Sequence, residues 1–236
     1  MYDALVITPV KDSIKTTEET IISVVKSTGR FQYTVYNDFS TAETTDRLTI
    51  LSQEHCFKLI NLSEVTSTPS PNYRLVLQLA QERALELNIP LIIVESDVEV
   101  QPTTLLQLVE YSKKNNDCGM VASITKDRDG KINFPYLNFR TTKKAILNTK
   151  HSLSFCCTLL TPELLKKYDF KTLSAEKHWY DVSISRKSRQ LGLNNYLLVS
   201  EGVLHKPHSS RPWKQLKYDN PIKYYFLKLI KRLDRI

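Results

Sequence analysis

Glycine is scarce. The chain has five in 236 residues (Gly29, Gly119, Gly130, Gly192 and Gly202), and the closest two stand ten positions apart. Phosphate loops and the G-x-G-x-x-G dinucleotide turn both need clustered glycines, so both are excluded. Long apolar runs are missing too. The most continuous, Leu91-Ile92-Ile93-Val94, is far short of the roughly 20 residues that span a bilayer. The N-terminus has no basic segment followed by an apolar stretch, so no secretory signal is expected. The four cysteines (Cys56, Cys118, Cys156, Cys157) show no C-x-x-C spacing. That argues against zinc ribbons and redox pairs and for a reducing compartment.

What is present is ordinary in amount and uneven in place. The chain is 41% hydrophobic and 25% charged, as expected for a globular domain. Its net charge is +8. Residues 221–236 hold Lys223, Lys228, Lys231, Arg232 and Arg235 against Asp234, so half the excess sits in a short tail. A broad nucleic-acid footprint is therefore not expected, and an anionic partner near the C-terminus is.

The first half alternates strand and helix. Ala4–Ile7 reads as a buried strand ended by Thr8-Pro9, and Gln32–Tyr36 and Phe57–Leu62 as two more. Thr16 with Glu19, and Ser40 with Glu43, have capping-box spacing, and Gly29 reads as the stop of the first helix. A Ser/Thr/Pro-rich loop, 63–71, precedes a helix over 72–87 with Leu75, Leu79, Ala80 and Ala84 inward. Leu91–Glu95 reads as the central strand, and Pro102 as the first residue of the next helix. Met120–Ile124, Ser154–Leu160 and Asn195–Ser200 are further strands. Thr161-Pro162-Glu163 opens a short helix, and His178–Leu191 is a longer one stopped by Gly192. Asp127-Arg128-Asp129-Gly130 is a turn that lacks the other ligands of a calcium loop. The alternation predicts an α/β fold, a mostly parallel sheet with helices on both faces.

In such sheets ligands bind beyond the carboxyl ends of the strands. Three of those ends are polar here: Thr8-Pro9, Asn37-Asp38 and Glu95-Ser96-Asp97. A carboxylate at Asp38 can accept from a base or ribose edge. Two carboxylates two positions apart, just past a strand, can share a divalent cation such as Mg²⁺ or Mn²⁺. Each motif alone also reads as turn or cap chemistry.

Taken in order, the pieces resemble a family-2 glycosyltransferase of the GT-A fold. They are Val6-Ile7-Thr8-Pro9-Val10, the helix Glu19 to Lys26, Val35-Tyr36-Asn37-Asp38-Phe39-Ser40 and Val94-Glu95-Ser96-Asp97. Then come Cys157 to Glu163, Asp169-Phe170, Tyr180-Asp181 through Arg189-Gln190-Leu191-Gly192, and Val203-Leu204-His205. The resemblance runs over residues 3 to 208. It implies a nucleotide-sugar donor, a UDP-sugar first, with Thr8, Pro9 and Asp38 around the nucleotide and Arg74 reaching the donor. It implies Glu95 and Asp97 as the D-x-D counterpart, Asp97 and His205 as metal ligands, Mn²⁺ or Mg²⁺ as cofactor, and Asp181 as catalytic base. The sequence departs from the family pattern at Phe39, Glu95, Tyr180 and Tyr73, where the family usually has Gly, Asp, Glu and Gly.

The implied reaction is inverting transfer of a sugar to a hydroxyl of a saccharide or lipid-linked glycan, as in polysaccharide biosynthesis. Asp181 also reads as a favourable charge in a first helical turn. Trp179 and Tyr180 read equally as sugar-stacking or core aromatics. His205 and His208 have H-x-x-H spacing, but Pro207 between them predicts a loop. Lys206, Arg211 and Lys214 could screen a diphosphate or face water, and Cys156 and Cys157 read as small buried strand residues. The expected division is a catalytic domain, 1–216, and a basic amphipathic helix, 217–236. That helix has Ile222, Tyr225, Phe226, Leu229, Ile230, Leu233 and Ile236 on one face. Residues 218–236 suit an anionic membrane surface, or packing on the domain or a second subunit. The expected location is cytoplasmic, peripheral on the inner face of the membrane. Competing readings are an inactive nucleotide-sugar-binding module of the same fold, a nucleotidyltransferase, and a membrane adaptor in which only the tail matters.

Overall fold

The computed structural model describes residues 2–176, 179–206 and 220–230. Its strands are β1 (Ala4–Val10), β2 (Phe31–Asn37), β3 (Lys58–Asn61), β4 (Leu91–Val94) and β5 (Val98–Glu99). They continue with β6 (Cys118–Lys126), β7 (Ile146–Asn148), β8 (Cys157–Leu160) and β9 (Asn194–His205). Helices α1 (Ile14–Val25), α2 (Ala42–His55), α3 (Tyr73–Leu87) and α4 (Thr104–Lys114) lie between the earlier strands. Helices α5 (Pro162–Lys167), α6 (Tyr180–Gln190) and α7 (Pro221–Ile230) come later.

The aliphatic run of β4 is buried on both faces, which makes it the centre of the sheet. Leu91 and Ile93 face a layer built from α3, α5 and α6 through Val76, Leu77, Ala80, Leu164, Leu165 and Ile184. Ile92 and Val94 face the opposite layer, where Ile21, Leu48, Leu51, Leu105 and Leu108 come from α1, α2 and α4. Each such side chain stabilises the fold by roughly 1.5–3 kcal/mol, so Ile92→Ala would cost about 2–5 kcal/mol.

The strand order is β3-β2-β1-β4-β8-β6-β9-β5, with β7 on β9. β1 to β4 form a parallel block, and β6 and β9 point the same way. β8 lies between β4 and β6 and runs against both. Its reversal puts the start of β8 beside the end of β4. Gly119 lets β6 approach α6, because a Cβ there would overlap Ser188 Oγ.

Several boundaries differ from the sequence expectation. β1 does not end at Thr8-Pro9 but continues to Val10, which pairs with Asn37. Helix α1 starts early, at Ile14, because Asp12 and Ser13 form a left-handed turn (φ 56 for both). Thr16 is therefore inside the helix, where its hydroxyl donates to Ser13 O, and makes no capping box. Helix α1 is closed by Lys26, and Gly29 belongs to the following turn. Thr41, not Ser40, caps α2 by accepting from Thr44 N, while Ser40 Oγ accepts from Asp12 N. Thr103, not Pro102, precedes α4. In α3 the inward set is shifted to Val76, Leu77, Ala80 and Ala84, with Leu75 and Leu79 half-buried. β8 begins only at Cys157, β9 runs on to His205, and α6 begins at Tyr180. His178 lies outside the described residues.

Helix α7 exposes Ile222, Tyr225, Phe226, Leu229 and Ile230 and buries Tyr224. Leu233 and Ile236 lie outside the described residues, as do Lys231, Arg232 and Arg235. Among the described residues no helix is long and apolar enough to cross a membrane.

Candidate active site

Two strand registers assemble a polar cluster at the carboxyl end of β4. Val94 pairs with Cys157, so Glu95 falls beside Cys156, and Glu95 N donates to Cys156 O at 3.1 Å. The Cys156 thiol donates to Glu95 Oε2 at 3.3 Å. The chain then turns, Val98 N donating to Glu95 O, and pairs Val98 with His205. That pairing brings His205 Nε2 to 3.5 Å from Asp97 Oδ2, and Lys206 N donates to Asp97 O at 2.9 Å. Asp97 is 1% exposed. A carboxylate that deep is costly unless a cation or donors face it. One ligand atom each from Glu95, Cys156 and His205 lies within 4.8 Å of the others. Oxygen, nitrogen and sulfur donors around a buried carboxylate fit a divalent cation.

Charge within the cluster shifts its titration. Burial alone would lower the His205 value. The hydrogen bond and charge of Asp97, the charge of Glu95 and the Phe134 carbonyl outweigh it, and the value is raised. Burial and the charges of Glu95 and Asp97 push the Cys156 thiol well up. Lys206, 6% exposed, neither faces water nor reaches outward: its Nζ pairs with Glu19 of α1 and Glu99 of β5. These pairs tie the end of β9 to two other elements and so hold His205 in register.

The other expected residues sit on the parallel block. The Thr8 side chain is turned into the core, where its Oγ1 accepts from Tyr33 OH at 2.9 Å. Pro9 is half-buried in β1. Asp38 closes the loop onto α3: Oδ2 accepts from Ser70 Oγ (2.7 Å) and Asn72 N (2.8 Å), and Oδ1 from Asn72 Nδ2 (2.8 Å). The next residue, Phe39, has φ 55, the left-handed region that suits a glycine and strains a bulky residue. Packing against the α3 layer holds it there. Arg74 Nη1 donates to Leu173 O at 3.3 Å.

Asp181 lies in the first turn of α6, half-buried, with Val182 N donating to its Oδ1. Its neighbour Tyr180 is buried and stacks on Tyr73 (centroids 6.2 Å apart, planes at 17°), joining the starts of α3 and α6. Tyr180 is thus a core aromatic, while Trp179 stays half-buried. The charge of Asp181 reaches Tyr136, which bonds to Ser154 beside the cluster. Burial raises the Tyr136 phenol well above its ordinary value, and the charge of Asp181 adds to the shift. Ser154 N donates to Tyr136 OH, Ser154 Oγ lies 3.3 Å from Cys156 Sγ, and Cys156 reaches Glu95.

The structure thus gathers Glu95, Asp97 and His205, sets Asp38 and Arg74 on neighbouring segments around the start of α3, and buries the Thr8 side chain against Tyr33. Cys156, Tyr136 and Ser154 join the site without having been expected there. Only the antiparallel placement of β8 would have pointed to Cys156. His208, Arg211 and Lys214 lie outside the described residues. A groove of about 580 Å³ runs past Lys126, Arg128, Glu201 and Gly202 and does not include the cluster.

Comparison with known proteins gives one family. The model for glycosyl transferase family 2 matches residues 5–169. Among solved structures, the mannosyltransferase PcManGT from Pyrobaculum calidifontis, in complex with GDP-Man and Mn²⁺, superposes with a TM-score of 0.68 at 15% identity. S. aureus TarS 1–349 in complex with UDP-GlcNAc gives 0.67 at 19% identity, and GalNAc-T7 with UDP, GalNAc and Mn²⁺ gives 0.63 at 15%. These alignments cover 98%, 89% and 87% of this chain but only 64%, 60% and 44% of those chains. A search of curated proteins returns no match.

Proposed function

Since the chain belongs to glycosyl transferase family 2 and has the GT-A fold, we propose that it is a metal-dependent inverting glycosyltransferase. The donor is a nucleoside-diphosphate sugar, a UDP-sugar first, and the acceptor a hydroxyl of a saccharide or lipid-linked glycan. The observation that carries this reading is the convergence of Glu95, Asp97 and His205 at the end of the central strand. In an α/β sheet that is where a ligand binds.

Asp97 and His205 would hold the cation, with Glu95 beside them, and Mn²⁺ or Mg²⁺ there would offset charge on the leaving diphosphate. Asp38 and Arg74 are assigned to the nucleotide side, along with the backbone at Thr8 and Pro9. Asp181 takes the proton of the acceptor hydroxyl as that oxygen attacks the anomeric carbon, and the nucleoside diphosphate departs from the opposite face. An inactive binding module would keep the donor contacts and lose this step. A nucleotidyltransferase would release pyrophosphate.

The tail, 217–236, is assigned to an anionic membrane surface. Support comes from the apolar side chains exposed on α7 and from the basic residues interleaved with them in the sequence. That would hold the catalytic domain, 1–216, against the inner face of a membrane, next to a lipid-linked acceptor.

The test is release of nucleoside diphosphate from UDP- and GDP-sugars with Mn²⁺ and a mixed glycan acceptor pool. Release that is lost in Asp97→Ala and Asp181→Ala is expected. Equal release by wild type and both variants would overturn the reading.

A further inference from the structure

We propose that the Cys156 thiolate is itself a ligand of the metal centre, and that the centre therefore selects a thiophilic divalent cation, Zn²⁺ or Co²⁺, over Mg²⁺. The inference rests on the metal site proposed above and adds to it a ligand and a class of ion.

A buried cysteine usually serves as a small apolar filler. Cys156 is 2% exposed, yet its sulfur touches polar groups: Glu95 Oε2 at 3.3 Å and Ser154 Oγ at 3.3 Å. Glu95 in turn shares the cluster with His205, and His205 meets Asp97 at 3.5 Å. Three potential ligand atoms thus converge from three places in the chain, the end of β4, the residue before β8 and the end of β9, each within 4.8 Å of the others, with Asp97 3.5 Å from His205. Tetrahedral ligands at about 2.0–2.3 Å from zinc stand roughly 3.3–3.8 Å from one another. The Cys156–Glu95 separation of 3.3 Å falls in that range and the His205 ligand atom lies within 4.8 Å of both, so the three form one candidate ligand set.

The donor types point the same way. Mg²⁺ takes oxygen ligands and keeps several waters, and gains nothing from sulfur. Thiolate and imidazole together favour zinc and its neighbours. On binding, Cys156 gives its proton to solvent and the sulfur lone pair to the cation, with no change of oxidation state. Glu95, one methylene longer than the aspartate usual at this position, carries its carboxylate to the sulfur and leaves Asp97 to the imidazole.

The experiment is Co²⁺ titration of the full chain, followed by absorption, with zinc-edge X-ray absorption on the zinc-loaded wild type. Wild type and Cys56→Ser should develop a near-ultraviolet thiolate-to-cobalt band, and Cys156→Ser should not. The wild-type zinc spectrum should contain one sulfur at about 2.3 Å. Cys156→Ser should weaken Zn²⁺ and Co²⁺ binding roughly tenfold or more, with little change in Mn²⁺ binding followed by electron paramagnetic resonance. The zinc spectrum needs no variant, so it decides the matter even if Cys156→Ser folds poorly. Cobalt bound without the band, with only nitrogen and oxygen around zinc, would overturn the proposal. Mn²⁺ binding and sugar transfer would then still stand. Failure of every divalent cation to bind would overturn the metal site along with it.

Discussion

His205 Nε2 lies 3.5 Å from Asp97 Oδ2, at the point where the two-residue strand β5 pairs with the end of β9. The two residues are far apart in sequence and meet because Val98 pairs with His205. The contact joins the turn after the central strand to the end of the last one.

The buried carboxylate has a direct consequence. Asp97→Asn keeps the shape and removes the charge, so stabilisation by Mn²⁺ should disappear while the cation-free protein still folds. Thermal unfolding with and without Mn²⁺ measures both. An unchanged Mn²⁺ shift in the variant would remove Asp97 from the site.

Asp181→Asn should lower turnover by about 10²–10⁴-fold, the range of a positioned base. As a charge in a first helical turn, Asp181 contributes roughly 0.3–1 kcal/mol to stability, so the unfolding midpoint should move little. Steady-state kinetics and a melting curve on the same preparation separate the roles. A variant with full turnover would assign Asp181 to the helix alone.

The sequence carried the parallel block and most of the candidate residues. The aliphatic run of β4, the turn residues after β2 and the E-x-D pair follow from local chemistry. The boundaries that moved depend on contacts between distant segments. Asp12 and Ser40 bond to each other, and this shifts the starts of α1 and α2. Cys156 shows the same limit at the site. Nothing within a few residues of it marks a ligand, because its partner Glu95 arrives through the antiparallel pairing of β8 with β4. Thr8 shows the converse: a polar residue at an expected strand end proves to be a core hydroxyl bonded to Tyr33.

His205 makes stability depend on pH. Its folded value is raised above the unfolded one, so the proton stabilises the fold. That contribution is fully present below the ordinary value of about 6.5 and is lost as pH rises through the higher folded value. In chelator-treated protein, the melting temperature of wild type should fall relative to His205→Asn over that rise. Parallel curves for the two proteins would contradict the shift.

Asp38 holds the loop before α3 through three hydrogen bonds. Asp38→Ala leaves buried donors on Asn72 without their acceptor and should cost about 1–3 kcal/mol in chemical denaturation. Nucleotide binding should weaken as well. Calorimetry showing native nucleotide affinity in a destabilised variant would leave Asp38 a purely structural residue.

The exposed face of α7 should govern membrane association. Ile222→Ser with Phe226→Ser, or truncation after residue 217, should abolish co-flotation with anionic liposomes and leave neutral liposomes unaffected. Equal flotation of full-length and truncated chains would exclude the membrane role.

The most direct test of a metal-dependent sugar-nucleotide site is thermal unfolding of the full chain against UDP, GDP and their sugars, with and without Mn²⁺. A ligand at a hundred times its Kd stabilises by about 2.7 kcal/mol, a shift easily read. The structure and family lead to a shift with one nucleotide that requires the cation and vanishes in Asp97→Asn. No cation-dependent shift with any nucleotide or nucleotide sugar, in the presence or absence of glycan acceptor, would contradict the account.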